Sequence, residues 1–469
     1  MSRLTLCLIA RDEEAMLPGC LASVRGAVDE IVLVDTGSSD RTVELARAAG
    51  AIVLRRPWDD DFAAPRNLAA ERASGDYLLA LDADERLAPG AGGALRAAVE
   101  RADFDLGLLR LHNATRLDAA PAEVLGGAAR IAAPVLLARV VRRRDGVAWR
   151  GAIHESVEDW FLRIRGRARA LDVDVVHYGY DPSVRAARDK RARNLALLRR
   201  RCALEPEDVT AFGYLALELL EAGDEAGAQE VVDAGWPLVG RQPPWRSAHR
   251  LASARASLAL RRGDGEAVLE TSRRIEERAG GHPDLDFLRG CGEELVAVRA
   301  PPGSPERRER LARAVAALGS ARRRLATEGP FLYAGAVSEV ACQLHLGVVH
   351  LLAGELPESL RAFGAALAAE PASPSARAGL AEALVEAGEP ARALALLEPI
   401  LGAAPDGWLL AAAATARLGA REDARLFLSR AAERRALGYE CLHRFARHDA
   451  LARELAAPPG EPPGPGRRP

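Results

Sequence analysis

Short apolar runs alternate with helical patterns along the N-terminal part of the chain. The runs are four to seven residues long: Leu4–Ala10, Ile31–Val34, Ala51–Leu54 and Tyr77–Leu81. Continuous apolar runs of this length are typical of strands buried on both faces of a parallel sheet. Between the first two runs, Leu17, Leu21 and Val24 recur at helical spacing. The pattern therefore predicts a β-α-β-α-β order and a doubly wound sheet with right-handed crossovers.

Beyond residue 205 the strand pattern disappears, and alanine, leucine, arginine and glutamate dominate. A set of positions recurs 34 residues further on, with Leu346, Gly354, Phe363, Ala366 and Pro371 matched by Leu380, Gly388, Leu397, Ile400 and Pro405. Thirty-four residues is the period of the tetratricopeptide repeat, in which small residues lie where paired helices cross. Less regular copies are predicted around Gly419 and Gly223. We therefore expect an all-α region of such repeats, clearest over 340–435.

Composition and charge mainly exclude certain partners and segment types. The 469 residues include 64 basic and 66 acidic side chains, for a net charge of −2. Such a balance gives no global attraction to nucleic acid or to an anionic membrane, so neither partner is expected. No run approaches the roughly 18–20 apolar residues that a membrane-spanning helix needs. Leu4–Ala10 has no cleavage region behind it and is not expected to be a signal peptide.

The six cysteines are scattered, with no CxxC pair and no Cys/His spacing typical of zinc sites. This usage argues against a disulfide framework and fits a reducing compartment. We therefore expect a cytoplasmic protein.

Polar residues follow the predicted strands at the points where the strands end. Acidic side chains are frequent in these segments, which are Arg11–Glu14, Asp35–Asp40, Trp58–Phe62 and Asp82–Glu85. In sheets of this kind, ligands bind beyond the carboxyl ends of the strands. We therefore expect a ring of acids at one edge of the sheet, with Arg66 as their counter-charge.

Such a ring of acids suits a nucleotide site only if a divalent cation is present. Carboxylate oxygens bind Mg²⁺ or Mn²⁺, and the ion in turn neutralises a diphosphate. Asp82 and Asp84 lie two residues apart, directly after a strongly aliphatic strand, so both can reach one ion. The sequence therefore predicts a divalent metal ion bound at this edge.

Four stretches of the N-terminal region carry a resemblance to a known family. They are Leu8–Glu14, Asp29–Asp40, Phe62–Asn67 and Leu81–Glu85. Together they resemble the nucleotide-sugar half of family 2 glycosyltransferases, which have the GT-A fold. Three later elements resemble a bacterial branch in which this domain precedes tetratricopeptide repeats: Gly151–Glu155, His177–Tyr180 and Lys190–Asn194. The resemblance implies an α/β GT-A domain, Rossmann-like with a mostly parallel sheet, followed by an all-α repeat domain.

The resemblance also implies roles for the residues around a nucleotide-sugar donor. Asp35 would contact the uracil or ribose, Asp82 would lie near the ribose or sugar, and Asp84 would bind the ion. His177, which ends the alternating run Leu171–Val176, would complete a metal site formed with Asp82 and Asp84. The metal and cationic side chains would stabilise the departing diphosphate. The full set of expected donor contacts is Ala10, Asp12, Glu13, Asp35, Gly37, Ser38, Asp40, Arg66, Asn67, Asp82, Ala83 and Lys190.

Family 2 enzymes are generally inverting, so one carboxylate must deprotonate the acceptor as the diphosphate leaves. We predict that Glu155 is this base, with Asp159 as the second candidate and Arg66 as a supporting cationic residue. The competing interpretation is that Glu155 only orients His154 and that Glu158 and Asp159 open a solvent-exposed helix.

Two further features are open to a functional or a structural interpretation. Trp58, Trp149 and Tyr178 can stack on uracil or sugar, or belong to the core. Lys190 is the only lysine among the 64 basic residues, and it lies on a predicted helix over 184–202. Arginine and lysine are not interchangeable where a compact ammonium meets phosphate. We therefore hypothesise that Lys190 contacts the diphosphate or an active-site flap. The alternative is that this single lysine was retained by chance and has no functional role.

These observations predict a catalytic domain over 1–200, repeats over 205–455 and a disordered proline- and glycine-rich tail over 457–469. The predicted protein is a soluble, metal-dependent, inverting glycosyltransferase, and specifically a hexosyltransferase. It moves a sugar from a nucleotide sugar, a UDP-sugar by preference, to an acceptor. Stacked repeats form grooves suited to extended peptides, so a protein or peptide acceptor is expected, with a glycan as the other option. The repeats can instead serve self-association or a protein partner.

Other classes of protein fit the sequence less well. A non-catalytic repeat scaffold with a vestigial nucleotide-sugar domain would not need intact Asp35, Asp82 and Asp84. A nucleotidyltransferase would carry a glycine-rich phosphate loop after the first strand, and an NAD-dependent enzyme a GxGxxG motif; the chain has neither at that place. The absence of predicted membrane helices argues against a processive polysaccharide synthase.

Overall fold

The computed structural model describes residues 2–179, 190–242, 248–279, 281–328, 337–401, 406–433 and 451–455. By its internal contacts the chain forms two compact units, one over Met1–Leu251 and one that begins at Ala252. The predicted catalytic region 1–200 lies within the first unit, which also contains the next helices of the chain.

The described part of the first unit combines a sheet with helices. The strands are β1 (Leu4–Ala10), β2 (Glu30–Asp35), β3 (Ile52–Arg55), β4 (Tyr77–Ala80), β5 (Glu85–Leu87), β6 (Leu106–Ala114), β7 (Arg130–Arg142) and β8 (Ala168–His177). The helices are α1 (Leu17–Ser23), α2 (Thr42–Ala48), α3 (Ala63–Arg72), α4 (Ala91–Arg101), α5 (Pro121–Leu125), α6 (Glu158–Arg163), α7 (Lys190–Leu204), α8 (Val209–Glu221) and α9 (Glu225–Gly235).

The strands form one sheet in the order β3-β2-β1-β4-β7-β6-β8-β5. Strands β1 to β4 pair in parallel, and helices connect them as predicted. Strand β7 is antiparallel to both β4 and β6, β8 is parallel to β6, and β5 is antiparallel to β8. The predicted α/β domain is therefore confirmed. Its parallel, doubly wound half ends at β4, and the remaining half mixes strand directions.

The register brings the ends of the central strands together. Ala10, the last residue of β1, pairs with Asp35, the last residue of β2. Cys7 of β1 pairs with Ala80, the last residue of β4. The segments that follow β1, β2 and β4 therefore leave the sheet at the same edge.

The apolar character of the central strands follows from burial on both faces. Successive side chains of a strand point to opposite faces. Leu6 and Leu8 of β1 belong to the core cluster on one face, and Cys7 between them packs with Val32 and Val34 in a second cluster. Burying each such leucine contributes about 2 kcal/mol to stability. This continuous burial explains why the first strand has no alternating polar positions.

Helices account for the secondary structure described beyond Leu251. They are α10 (His249–Arg261), which begins in the first unit, α11 (Gly265–Ala279), α12 (Pro283–Arg299), α13 (Pro305–Glu328), α14 (Glu339–Ala353), α15 (Leu356–Ala369), α16 (Pro374–Glu386), α17 (Pro390–Leu397), α18 (Gly407–Arg417) and α19 (Arg421–Glu433). This succession confirms the all-α region that the sequence predicts.

The repeat period is visible in the turns between paired helices. Gly354, Gly388 and Gly419 follow α14, α16 and α18, with φ of 80°, 80° and 83°. Gly223, after α8, has the same φ of 80°. This left-handed conformation favours glycine, which explains its recurrence. Pro405, at the end of the predicted repeat, lies outside the described residues.

Small residues allow the repeat helices to approach one another, as predicted. The ring of Phe363 on α15 is 1% exposed. A Cβ added to Gly347 of α14 or to Gly379 of α16 would overlap this ring. Both glycines therefore provide the space that Phe363 fills.

No helix in the described ranges is long and apolar enough to cross a membrane. Five cysteines are described, and each is a free thiol. Tyr180 and the predicted disordered tail over 457–469 lie outside the described residues.

Candidate active site

A cleft of about 690 Å³ opens at the edge of the sheet where β1, β2 and β4 end. Many of the predicted site residues line it: Ala10, Asp12, Glu13, Arg66, Asp82, Ala83, Asp84, Glu155 and His177. These residues come from separate segments of the chain, and the sheet topology brings them together. Other lining residues include Arg11, Thr36, Trp58, Phe62, Ile153, His154, Arg193 and Asn194.

Hydrogen bonds tie the segment after β1 to the segment after β2. Asp12 has a φ of 53°, its carboxylate accepts from Ser39 N–H at 2.8 Å, and its own N–H donates to Ser38 Oγ at 3.0 Å. The bonds from Ser39 lower the pKa of Asp12. Asp40 accepts from Glu14 N–H at 2.9 Å. The carboxylates of Asp12 and Asp40 thus connect the two segments beside the cleft.

Asp35 lies next to this connection rather than on the cleft surface. Its side chain is buried, with the residue 4% exposed, and its Oδ1 accepts from Ser38 N–H at 3.0 Å. Gly37 between them has a φ of 115°, a left-handed value that requires glycine. Of the described residues in this loop, Thr36 lines the cleft. Asp35, Gly37, Ser38 and Asp40 are therefore placed to support the loop.

Arg66 on α3 is the centre of an ion-pair network in the cleft. It is 8% exposed, its Nε donates to Glu155 Oε1 at 2.5 Å, and its Nη2 donates to Asp82 Oδ1 at 2.8 Å. Burial would lower the pKa of Arg66, but the two carboxylates outweigh it and raise this pKa. The third nitrogen, Nη1, is buried and has no hydrogen-bond partner among the described residues. A buried donor without a partner is rare, and an anionic ligand in the cleft would satisfy it.

Arg139 of β7 and Glu85 of β5 extend the network behind Asp82. Arg139 Nη2 lies 3.4 Å from Asp82 Oδ2 and also bonds to Glu85 Oε1. Glu85, 1% exposed, accepts from Asp82 N–H at 3.1 Å, and burial raises the pKa of its carboxyl. Desolvation would raise the pKa of Asp82, but Arg66 and Arg139 outweigh it and hold that pKa well below its usual range.

Sequence reasoning missed Arg139, and it noted Glu85 only as part of the strand end. The signal for Arg139 was a single arginine inside the apolar run 131–141. A charge at an inward-facing strand position is expensive unless it is paired, so it points to a buried acid nearby.

Asp84 and His177 face each other at the end of β4 and β8. Asp84 Oδ2 lies 3.5 Å from His177 Nε2, and His177 Nδ1 lies 2.8 Å from the amide oxygen of Asn113. Because that oxygen accepts, Nδ1 carries a hydrogen and Nε2 is turned to the carboxylate. Two acceptors in this position call for a proton or a cation between them. This donor set fits a divalent ion such as Mn²⁺.

Asp82 does not join that pair. Both of its carboxylate oxygens face arginines, because Arg66 and Arg139 lie on either side. Within the described residues, no three His, Cys, Asp or Glu side chains are arranged to hold a metal ion. Of the three predicted ligands, the structure places Asp84 next to His177 and pairs Asp82 with the two arginines.

Asp159 lies apart from the cleft. It lines a separate pocket of about 40 Å³ with Glu158, and Arg150 Nη1 lies 3.9 Å from its Oδ2. Glu158 and Asp159 begin α6, and both are half-buried rather than solvent-exposed. Of the two candidate bases, Glu155 is therefore the one at the cleft.

Two more residues were predicted to contact the donor, Asn67 and Lys190. The Asn67 side chain makes two hydrogen bonds to the backbone of Trp149. Asn67 Nδ2 donates to Trp149 O at 2.9 Å, and Asn67 Oδ1 accepts from Trp149 N–H at 2.8 Å. Asn67 therefore holds the core residue Trp149 rather than facing the cleft. Lys190 begins α7, but its side chain lies outside the described residues, so the hypothesis about this lysine stays a prediction.

Of the three aromatic candidates, Trp58 is the one at the cleft. Its ring packs edge-on against Phe62, with 4.6 Å between centroids. Trp149 is 7% exposed in the core. Tyr178 is 2% exposed, and its hydroxyl donates to Ala119 O at 3.2 Å.

Helix α7 contributes to the cleft beyond Lys190. Arg193 lies over the Phe62 ring, with its Cζ 5.8 Å from the centroid. Asn194 also lines the cleft, and its Oδ1 is buried without a hydrogen-bond partner in the part of the chain that is described. Both belong to the Lys190–Asn194 element, and the sequence argument singled out only the lysine.

Comparison with protein families gives two matches. Residues 5–122 match the family described as glycosyl transferase family 2. Residues 350–418 match a tetratricopeptide repeat family. The two matches fall in the regions where the structure has the sheet and the helical pairs.

Three curated relatives carry one or the other of these descriptions. A TPR repeat-containing protein of Synechococcus elongatus is 34% identical over 276 residues, which cover 58% of this chain and 65% of that protein. An uncharacterized glycosyltransferase of Rickettsia typhi is 33% identical over 87 residues, 19% of this chain and 30% of that protein. Glycosyltransferase SunS of Bacillus subtilis is 25% identical over 238 residues, 48% of this chain and 51% of that protein. The chain thus matches less than two thirds of the length of each.

Among solved structures, Staphylococcus aureus TarS 1–349 is 14% identical, covers 68% of this chain and 91% of its own, and has a TM-score of 0.33. A thermophilic TPR protein of Thermus thermophilus is 21% identical, covers 45% of this chain and 98% of its own, and has a TM-score of 0.34.

Proposed function

We propose that this chain, which carries a family 2 glycosyltransferase domain followed by tetratricopeptide repeats, transfers a sugar from a nucleotide sugar to an acceptor. The observation that carries the proposal is the cleft in which Asp84, His177, Arg66 and Glu155 meet. We take the donor to be a UDP-sugar and the catalytic domain to span 1–200.

The donor diphosphate would lie between the Asp84–His177 pair and the cationic residues of the cleft. Asp84 and His177 would hold a divalent cation, which supplies neutralising charge for the diphosphate when bound. Arg66 Nη1, Arg11 and Arg193 would add positive charge to the same region. Charge placed in advance where negative charge develops lowers the barrier to departure of the nucleoside diphosphate.

Glu155 would act as the general base. Arg66 holds Oε1 of Glu155, which leaves Oε2 to accept the proton of an acceptor hydroxyl. The hydroxyl oxygen forms a bond to the anomeric carbon as the bond from that carbon to the diphosphate oxygen breaks, so the nucleoside diphosphate leaves with the bonding electrons. A single displacement of this kind inverts the anomeric configuration.

The acceptor is proposed to be a protein or peptide bound by the repeats, since stacked helix pairs recognise extended segments. The same repeats can serve a protein partner or self-association, and a glycan acceptor is the other option. The free thiols support a cytoplasmic location.

The test is a panel of UDP- and GDP-sugars with Mn²⁺, with release of nucleotide as the measurement. Glu155→Gln is expected to lower turnover at least about 10²-fold, the usual contribution of a general base, while UDP binding persists. Asp145→Asn, at an exposed position, is the matched control. If the wild type turns over no donor but binds UDP, the vestigial scaffold is the better description.

A further inference from the structure

The segment Gly151–Glu155, which carries the proposed base, has an unusual backbone. Gly151 has a φ of 101° and His154 a φ of 51°. A left-handed residue other than glycine is uncommon and persists only where its surroundings enforce it. The contacts of this segment therefore decide where Glu155 lies.

Arg201 of α7 supplies the first of these contacts. It is 5% exposed, its Nη1 donates to Ile153 O at 2.9 Å, and its Nη2 donates to Asp208 Oδ2 at 2.9 Å. The guanidinium also packs so closely on Gly151 that an added Cβ would overlap it. Glycine is thus required at 151 by its φ and by Arg201.

Tyr214 of α8 supplies the second contact. Its ring stacks on His154, with 4.3 Å between centroids and 11° between planes. The Arg250 guanidinium also lies over the Tyr214 ring, 4.4 Å from its centroid. A flat ring stacked in this way restricts the orientation of the imidazole and of the strained backbone beneath it.

We propose that Arg201 and Tyr214 are positioning residues for Glu155, which rests on the proposed function. The two side chains come from α7 and α8, and they contact Gly151, Ile153 and His154, the residues that directly precede the base. Through Glu155 they set the geometry of the Arg66 ion pair, and hence where an acceptor hydroxyl meets Oε2. The helices of 190–221 are then part of the catalytic machinery and not only a link to the repeats.

The test compares Tyr214→Leu, which keeps apolar volume without a stacking ring, with Tyr214→Phe, which keeps the ring. Glu221→Ala, at an exposed position on the same helix, is the control. We expect Tyr214→Leu to lower kcat at least tenfold with KM for the donor within twofold, and Tyr214→Phe and Glu221→Ala to match the wild type. A kcat within twofold for Tyr214→Leu, or an equal loss in Tyr214→Phe, would overturn the proposal.

Hydrogen exchange provides a readout that does not depend on activity. Arg150 and Ser156 exchange backbone hydrogen bonds at 2.9 and 3.0 Å across the base of the segment. In Tyr214→Leu these two amides are expected to exchange faster, with the amides of β1 unchanged. If the wild type turns over no donor, the proposed function fails, whereas unchanged exchange at Arg150 and Ser156 would refute the positioning role itself.

Discussion

Arg66 Nε and Glu155 Oε1 lie 2.5 Å apart, although the two residues are 89 positions apart in the chain. The same guanidinium binds Asp82 Oδ1. One buried cation therefore joins the proposed base to the strand end that carries the acidic pair. Glu155 is therefore held by a residue of α3 in addition to the contacts of its own segment.

Removing Arg66 is expected to destabilise the first unit as well as abolish turnover. Arg66→Met removes the arginine that pairs with Glu155 and leaves Asp82 with Arg139 alone, and breaking a buried pair in this way costs about 3 kcal/mol. Thermal unfolding measures this loss, and Arg72→Ala, exposed at the end of the same helix, is the control. An unchanged melting temperature for Arg66→Met would show that the network does not stabilise the fold.

Metal dependence is expected to follow Asp84 and His177 rather than Asp82. Asp84→Asn and His177→Ala should each weaken Mn²⁺-dependent UDP binding at least about tenfold. Losing even a residue that only supports a metal ligand lowers metal affinity by at least about this factor. Asp82→Asn should weaken UDP binding less, since the Asp82 oxygens face Arg66 and Arg139. Calorimetric titration of UDP with Mn²⁺ or with EDTA measures these differences. The assignment would be wrong if Asp82→Asn abolished the Mn²⁺ effect and Asp84→Asn left it intact.

The spacing of apolar residues predicted the first four strands and the helical pairs, because this spacing can be read within each element separately. It also predicted that the residues after the strands meet at one edge, since the topology of a parallel sheet determines where those ends lie. What it could not predict is which acids pair with which arginines. Asp82 lies 3.4 Å from Arg139, a residue 57 positions away in the chain. Asn67, Asp35 and Asp159 were predicted by type and neighbourhood, whereas their roles depend on the direction of each side chain.

The turn glycines of the repeats give a test of backbone conformation alone. Gly354 has a φ of 80°, and an added Cβ there would meet no atom within 4 Å. Gly354→Ala is therefore expected to destabilise the second unit by about 1 kcal/mol through the left-handed conformation only. Gly364, inside α15, also has open space, so Gly364→Ala should stabilise by about 1 kcal/mol through helix propensity. Chemical denaturation of both variants checks the opposite signs, and equal effects would contradict this account.

The stability of the second unit is expected to fall as the pH rises, because of His345. His345 Nδ1 of α14 lies 2.8 Å from Glu294 Oε2 of α12, and both residues are buried. Burial would lower the pKa of His345, but Cys291 and Glu294 outweigh it and raise this pKa well above the usual 6.5. The folded state then holds the proton more tightly than the unfolded state. The stabilisation is complete below about pH 6.5, the pKa of an unfolded histidine, and is lost as the pH rises through the raised pKa.

His345→Gln isolates this contribution. The melting temperature of the wild type should exceed that of His345→Gln most at pH 6, and the difference should shrink steadily toward pH 9. Glu294→Gln should reduce the same pH dependence and leave the part that comes from Cys291, and adding it to His345→Gln should change the slope no further, because the two side chains act as a pair. A difference between wild type and His345→Gln that stays constant across this range would show that the imidazole is not charged in the folded protein.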